Sequence, residues 1–596
     1  MPDHILLSLV LIVFFGFAAQ WISWRIRIPS ILLLLLFGII VGPFLGLVEP
    51  DQLMGELLIP FVTISVAIIL FEGGLTLKLS EFKHIGKVVS LLITLGMGIT
   101  WVLTGLAVHW LFDLDIRIAA LLGAILTVTG PTVVGPLLRN IRPRERVGSI
   151  LKWEGILIDP MGAMLSILVF EAIILGGVQE AATAVALGLL KTVFLSGLTG
   201  GFFALLLTYL IKKYWIPDYL EVIATLTAVV TAFLISDYFQ EESGLLSATV
   251  MGIILANQKQ ISIKPIKDFK ENLSVLMIPV LFILLSSRLT MNDIELMQWI
   301  GFVLLGILIV VVRPLAVFLS TINSGLKINE KLFISFMAPR GIVAAAMASV
   351  FALELTGRDF PQIEYIVPLT FFVIIGTVIF YSISSPIAAR YLNISQSNPD
   401  GVIIAGGQEW ALDIASILKE KGFRVIIVDT IRYNIKKAKM MGLDAVNESI
   451  ISEKLIDKLN LEGIGKLIAL TSNDEANAMA VLHFSEIFSN ENLFQISPDI
   501  KASEKEFSPQ YLRGRFLFGE DISYSSITNR YSEGAVIKST KLTEKFSYED
   551  FKAKHGDSFT PLFLIDSKNT LIPFTSGDKI VPEAGSSIIA LLDKGE

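Results

Sequence analysis

The chain has 596 residues, 53% hydrophobic and 17% charged, with a mean hydropathy of +0.69, a net charge of −7 and no cysteine. A soluble protein is typically about 45–50% apolar and about a quarter charged, so this composition excludes a disordered, fibrous or disulfide-stapled chain and argues against a wholly soluble enzyme. Residues 1–399 hold 25 Lys+Arg and 26 Asp+Glu, whereas residues 400–596 hold 23 and 29, a net charge of −6. The sequence therefore predicts a polytopic all-α membrane domain followed by a soluble one, and the acidic soluble part argues against nucleic-acid binding.

A bilayer core takes about 20 mostly apolar residues per helix. Thirteen such stretches lie within residues 5–24, 30–47, 57–76, 88–112, 117–138, 151–176, 182–212, 219–236, 243–257, 273–289, 296–323, 331–353 and 363–392. The first lacks a basic leader and a small-residue cleavage site, so it reads as a retained helix. With the N-terminus outside, the loops on the cytoplasmic side carry 19 Lys/Arg and the opposite loops three, namely Arg117, Arg288 and Arg358. Lys/Arg asymmetry sets orientation, and an odd number of spans places the C-terminal part in the cytoplasm.

Ionisable residues inside spans are costly and usually functional. Span five contains Thr127-Val-Thr129-Gly130-Pro131-Thr132, and span six contains Trp153-Glu154-Gly-Ile-Leu-Ile-Asp159-Pro160. A Gly-Pro pair in mid-span breaks the helical hydrogen-bond ladder, which is tolerated where the freed carbonyls face protein or a watery cavity. Span twelve has a similar interruption at Ala338-Pro339-Arg340-Gly341. Two broken spans at corresponding places in oppositely oriented halves point to a midplane ion site in a secondary transporter. Asp159 is the transport candidate, because it lies deep in an apolar span with no basic residue within a turn. Glu154 and Arg340 read as a buried ion pair joining spans six and twelve, and Arg313-Pro314 in span eleven is either a second cation of similar kind or one near an interface. Glu72, in Phe71-Glu-Gly-Gly-Leu75, and Glu171, late in span six, are weaker candidates for the ion route.

Arg27-Ile-Pro29, Phe71-Glu-Gly-Gly-Leu75, Thr129-Gly-Pro131, Glu154-x4-Asp159, Ser243-Gly244 and Pro339-Arg340-Gly341 resemble, in order and spacing, the monovalent cation/proton antiporters, and more closely their NhaP-type branch. The resemblance implies thirteen spans with crossed, broken helices, a bacterial inner-membrane location and a homodimer. It also implies that Asp159 binds the cation or the proton, with Thr129, Gly130 and Thr132 around it, and that Glu154 and Arg340 are the structural pair. NhaP-type proteins typically have Thr-Asp-Pro where this chain has Thr129-Gly130-Pro131, and Glu-Ser-x-x-Asn-Asp where it has Glu154-Gly155-Ile156-Leu157-Ile158-Asp159; three polar positions are therefore Gly, Gly and Ile. A single carboxylate holding either a proton or one cation implies 1:1, electroneutral exchange without a cofactor. Na+ is the first expectation, with K+ favoured by a sparse ligand shell. A channel-like, ligand-gated potassium efflux system and a non-transporting cation sensor are the alternatives.

Residues 394–400 read as a linker. Val402-Ile-Ile-Ala405 (strand), the Gly406-Gly407-Gln408 turn, a helix to about Lys421 and Arg424–Asp429 (strand) follow. A glycine turn at a helix N-terminus suits phosphate, and an acid about 20 residues on suits ribose hydroxyls. Alternation continues through Lys466–Thr471 and Ser-Asn473-Asp474-Glu, predicting a doubly wound parallel sheet. This part resembles the RCK, or TrkA-N, regulatory domain over 401–530, with a TrkA-C-like β-rich lobe over 531–596 that includes Gly577–Gly585. The resemblance implies a regulatory nucleotide, NAD(H) or an adenine nucleotide, held by Gly406, Gly407, Gln408, Asp429, Thr471 and Asp474.

Overall fold

The protein is described from a computed structural model covering residues 2–593, apart from 27, 142, 144, 176–177, 242, 292–298, 356–359, 395–399, 453–454, 456–458, 460, 462, 486, 500–512, 520, 557 and 577–579. Most of the expected linker and the start of the Gly577–Gly585 stretch lie outside the described residues. The chain divides into two compact units, Met1–Ser395 and Gln396–Glu596.

Among the described residues of the first unit, nine helices are long and apolar enough to cross a membrane. Four shorter apolar helices, Ser30–Phe44, Ile116–Ile125, Ser243–Asn257 and Ile342–Leu355, complete a set of thirteen that coincides with the expected spans. Spans five and twelve are short because both are interrupted. Span five runs as Ile116–Ile125, opened by the Asp115 side chain accepting from the Arg117 N–H at 2.8 Å, and resumes as Pro131–Ile141. Span twelve runs as Ile328–Ser335 and resumes as Ile342–Leu355. Span six is one continuous helix, Glu145–Leu175, with Pro160 inside it.

The second unit holds two sheets. Strands β1 (Gly401–Ala405), β2 (Val425–Asp429), β3 (Asp444–Asn447), β4 (Ile464–Ala469), β5 (Leu493–Ile496) and β6 (Arg515–Leu517) pair in parallel in the order β3-β2-β1-β4-β5-β6. The central strands β1, β2 and β4 are mostly apolar because both faces are covered. Val402, Ile404, Val425 and Ile427 pack with helix Glu409–Glu420 on one face, and Ile403, Ala405, Ile426 and Val428 pack with helix Asp474–Phe484 on the other. Strands β7 (Val536–Lys541), β8 (Phe559–Ile565), β9 (Leu571–Pro573) and β10 (Ser587–Leu592) form an antiparallel sheet in the order β7-β10-β8-β9.

Candidate functional site: two crossed breaks and a buried carboxylate

The two interruptions meet at a pair of glycines. A Cβ built on Gly130 would stand 2.5 Å from the Gly341 Cα, and one on Gly341 would stand 2.3 Å from the Gly130 Cα. No side chain fits such a crossing, so the unwound segments can touch only because both residues are glycine. Unwinding frees carbonyls that an apolar interior cannot satisfy, and two arginines take them up. The Arg340 guanidinium, itself in the break of span twelve, donates Nη1–H to the carbonyls of Thr127 at 2.9 Å and Val128 at 3.4 Å in the break of span five. The Arg313 guanidinium donates Nη2–H to the carbonyls of Ile334 at 3.2 Å and Met337 at 3.0 Å in span twelve.

The expected pairing of Glu154 with Arg340 is corrected here. Glu154 binds Arg313 in two-pronged fashion, Nη1–Oε1 at 2.5 Å and Nη2–Oε2 at 3.0 Å, with both side chains buried. Arg340 is turned instead toward the carbonyls of span five, whose dipoles offer it the partial negative charge a carboxylate would otherwise supply. The pair therefore joins spans six and eleven. The signal in the sequence was the presence of two intramembrane arginines for one nearby acid, and spacing alone does not choose between them.

Span six lies along the break. Gly155 approaches Val134, with a built Cβ 3.6 Å from the Val134 side chain, and Gly162 approaches Thr127 and Val128, with a built Cβ 2.6 Å from Val128 Cγ2. Residues 155, 159 and 162 share a helical face, so Asp159 faces the stretch of span five between those contacts, where Thr129, Gly130 and Thr132 lie. Asp159 is 1% exposed. Its Oδ1 and the buried Thr132 Oγ1 have no hydrogen-bond partner among the described residues. Two orphan oxygens offer hard ligands of the type a monovalent cation prefers, as part of its shell.

A cavity of about 930 Å³ reaches this region from the Lys/Arg-rich end of the spans, lined by Glu72, Thr132, Lys152 and Ile156 among others. Glu72 thus lies on an approach to the site. Glu171 does not line this cavity: it is 12 residues beyond Asp159 on the same helix, about 18 Å along the axis, with Glu241 and Lys191 as charged neighbours.

In the second unit the structure gathers Gly406, Gly407, Gln408, Asp429 and Thr471 at the C-terminal edge of β1, β2 and β4, the switch point where dinucleotides bind on such sheets. Gly406 takes φ +110°, a conformation glycine alone adopts without strain. Part of the turn is bonded internally. Asp429 Oδ2 accepts from the Gly407 N–H at 2.7 Å and Asn434 Nδ2 at 2.8 Å, and its Oδ1 accepts from the Ile431 N–H at 2.8 Å. Gln408 Nε2 donates to the Leu470 carbonyl at 2.7 Å. Glu409 brings a negative charge to the first helical turn, where it bonds Lys437. Thr471 is interlocked with Asn477, its Oγ1 donating to Asn477 Oδ1 at 2.7 Å, and Asp474 begins the helix that Asn473 caps. No side chain caps the N-terminus of helix Glu409–Glu420, which leaves amides of the kind a phosphate takes, while Asp429 and Glu409 place negative charge beside the turn.

Residues 9–390 match the family described as sodium/hydrogen exchanger, transmembrane, well over half of the chain. The chain belongs to the sodium/hydrogen exchanger family. Residues 402–505 match the TrkA-N domain, a Rossmann-like type associated with nucleotide binding. The K(+)/H(+) antiporter NhaP of Alkalimonas amylolytica is 29% identical over 392 residues, covering 64% of this chain and 66% of that protein. The Na(+)/H(+) antiporter 1 of Methanocaldococcus jannaschii is 29% identical over 353 residues, covering 56% of this chain and 80% of that protein. Among solved structures, the sodium proton antiporter MjNhaP1 from Methanocaldococcus jannaschii at pH 8 superposes with a TM-score of 0.58 at 25% identity, covering 64% of this chain and 97% of that one. The protein is a multi-pass membrane antiporter of the NhaP type carrying a TrkA-N regulatory domain.

Proposed function

We propose that this sodium/hydrogen exchanger family member exchanges one monovalent cation, Na+ or K+, for one proton at a single carboxylate, Asp159. The observation that carries the reading is the juxtaposition of Asp159, with its orphan Oδ1, and the crossed breaks of spans five and twelve. Asp159 holds a proton or a cation, but not both. Thr132 Oγ1, the Thr129 hydroxyl and water supply further oxygens, while the Thr127 and Val128 carbonyls are already engaged by Arg340. Gly130 contributes by permitting the crossing rather than by ligating. With one charge site, a proton and a monovalent cation carry equal charge, and the exchange is electroneutral.

The Lys/Arg-rich end of the spans faces the cytoplasm in this reading, with the N-terminus outside and the protein in an inner membrane as a homodimer. The cavity that reaches Thr132 is then the cytoplasmic approach, with Glu72 on its wall. The TrkA-N domain regulates exchange, with the glycine turn as its nucleotide cleft.

The test is proton flux in everted vesicles under an imposed pH gradient, adding Na+, K+, Li+ and choline in turn. Dissipation by Na+ or K+ and not by choline is expected, and the effective ion names the cargo. A wild-type protein indifferent to all three alkali cations would leave the cation-sensor reading ahead. Cation flux without proton movement would support a channel.

A further inference from the structure

The cavity of about 930 Å³ has two charged groups among its described lining residues, Glu72 and Lys152. Lys152, Ile156 and Asp159 stand at i, i+4 and i+7 of span six, so they form one stripe down a single helix face. Lys152 and Ile156 line the cavity, and Asp159 lies one turn deeper. A cation moving from the cavity to Asp159 therefore passes along the residues beneath Lys152. The lysine is held in place: its Nζ donates to the Thr76 carbonyl at 2.5 Å, just beyond the C-terminal end of helix Leu58–Leu75, the helix that carries Glu72. Glu81, Lys78 and Lys267 are its other charged neighbours.

An ammonium at the end of a helix is favourable, which explains where Lys152 rests. It does not explain why a fixed positive charge lines the cavity of a cation transporter, where it repels the cargo. Seven residues of helix separate Lys152 from Asp159 by about 10 Å. Between unit charges that far apart, repulsion changes affinity by about 2-fold at the dielectric of water and about 15-fold at an effective value of 20.

We propose that Lys152 is a positioning residue that sets the affinity for the cation on this side of the membrane, its tethered ammonium opposing entry while Glu72 favours it. The inference rests on the antiport reading. Lys152 touches no reacting atom; it acts through the field in the cavity.

The experiment compares the wild-type full chain with Lys152→Gln, Lys152→Arg and Glu72→Gln in everted vesicles, reading the KM and maximal rate for Na+ and K+. Lys152→Gln should lower KM by about 2- to 15-fold with the maximal rate unchanged, Lys152→Arg should keep the wild-type KM, and Glu72→Gln should raise it. A Lys152→Gln protein with unaltered KM overturns the proposal. So does a fall in maximal rate at constant KM, which is what loss of a helix cap alone would give. If Lys152→Gln does not accumulate in the membrane, Glu72→Gln decides, and an unmoved KM there overturns the proposal. A wild-type protein that exchanges no cation would instead overturn the antiport reading itself.

Discussion

Glu154 and Arg313 share two hydrogen bonds, at 2.5 and 3.0 Å, inside the membrane-spanning unit, and the same guanidinium holds two carbonyls of the interrupted span twelve. One side chain thus fixes span six, which carries Asp159, relative to one of the two breaks. Removing one member of a buried pair leaves the other charged and unpartnered.

Glu154→Ala is accordingly expected to cost about 3–5 kcal/mol, read as a lowered unfolding temperature of the detergent-solubilised protein. A double-mutant cycle should show strong coupling between Glu154 and Arg313. Coupling between Glu154 and Arg340 should be weaker, because Arg340 bonds the Thr127 and Val128 carbonyls. Equal coupling to the two arginines would contradict this arrangement.

The glycine crossing makes an equally sharp prediction. Gly130→Ala places a methyl group where Gly341 Cα already sits, whereas a Cβ on Gly98 meets nothing within 4 Å. Gly130→Ala should abolish exchange or prevent folding, and Gly98→Ala should transport like the wild type. Restoring an acid by Gly130→Asp should fail for the same steric reason, despite its chemistry being that of the wider family. Full activity in Gly130→Ala would show that the two breaks separate during the working cycle.

The thirteen spans, the two interruptions and the parallel sheet were legible because each leaves a local trace: apolar runs of membrane length, mid-span Gly-Pro or Pro-Arg-Gly, and strands flanked by a glycine turn. The partner of Glu154 was not. Arg313 and Arg340 are both intramembrane, and the choice between them depends on which set of freed carbonyls each can reach, a property of the packed helices. The role of Gly130 was hidden for a related reason. Read along the chain it is a missing ligand, and in three dimensions it is the contact that lets the breaks cross. The same limit applied at Gln408, whose bond to the Leu470 carbonyl joins residues 62 apart and leaves no local trace.

The Asp429–Gly407 contact bears on regulation. NAD+, NADH or ATP should raise the thermal stability of the full-length protein less than an open cleft would allow, because the ligand must first part Asp429 from the Gly407 N–H. Stabilisation by about 2.7 kcal/mol at a hundredfold excess over Kd would follow from real binding to the folded state. Such a shift, lost in Asp429→Ala, would show that the loop opens to admit a ligand.

The central claim is competition between a proton and a cation for Asp159. It is tested most directly by the KM for the transported cation as a function of pH in proteoliposomes, for the wild type and Asp159→Asn. Competition at one carboxylate predicts that the wild-type KM rises as pH falls, approaching tenfold per pH unit on the acidic side, with no exchange in the variant. A KM independent of pH, or exchange that survives in Asp159→Asn, would contradict it.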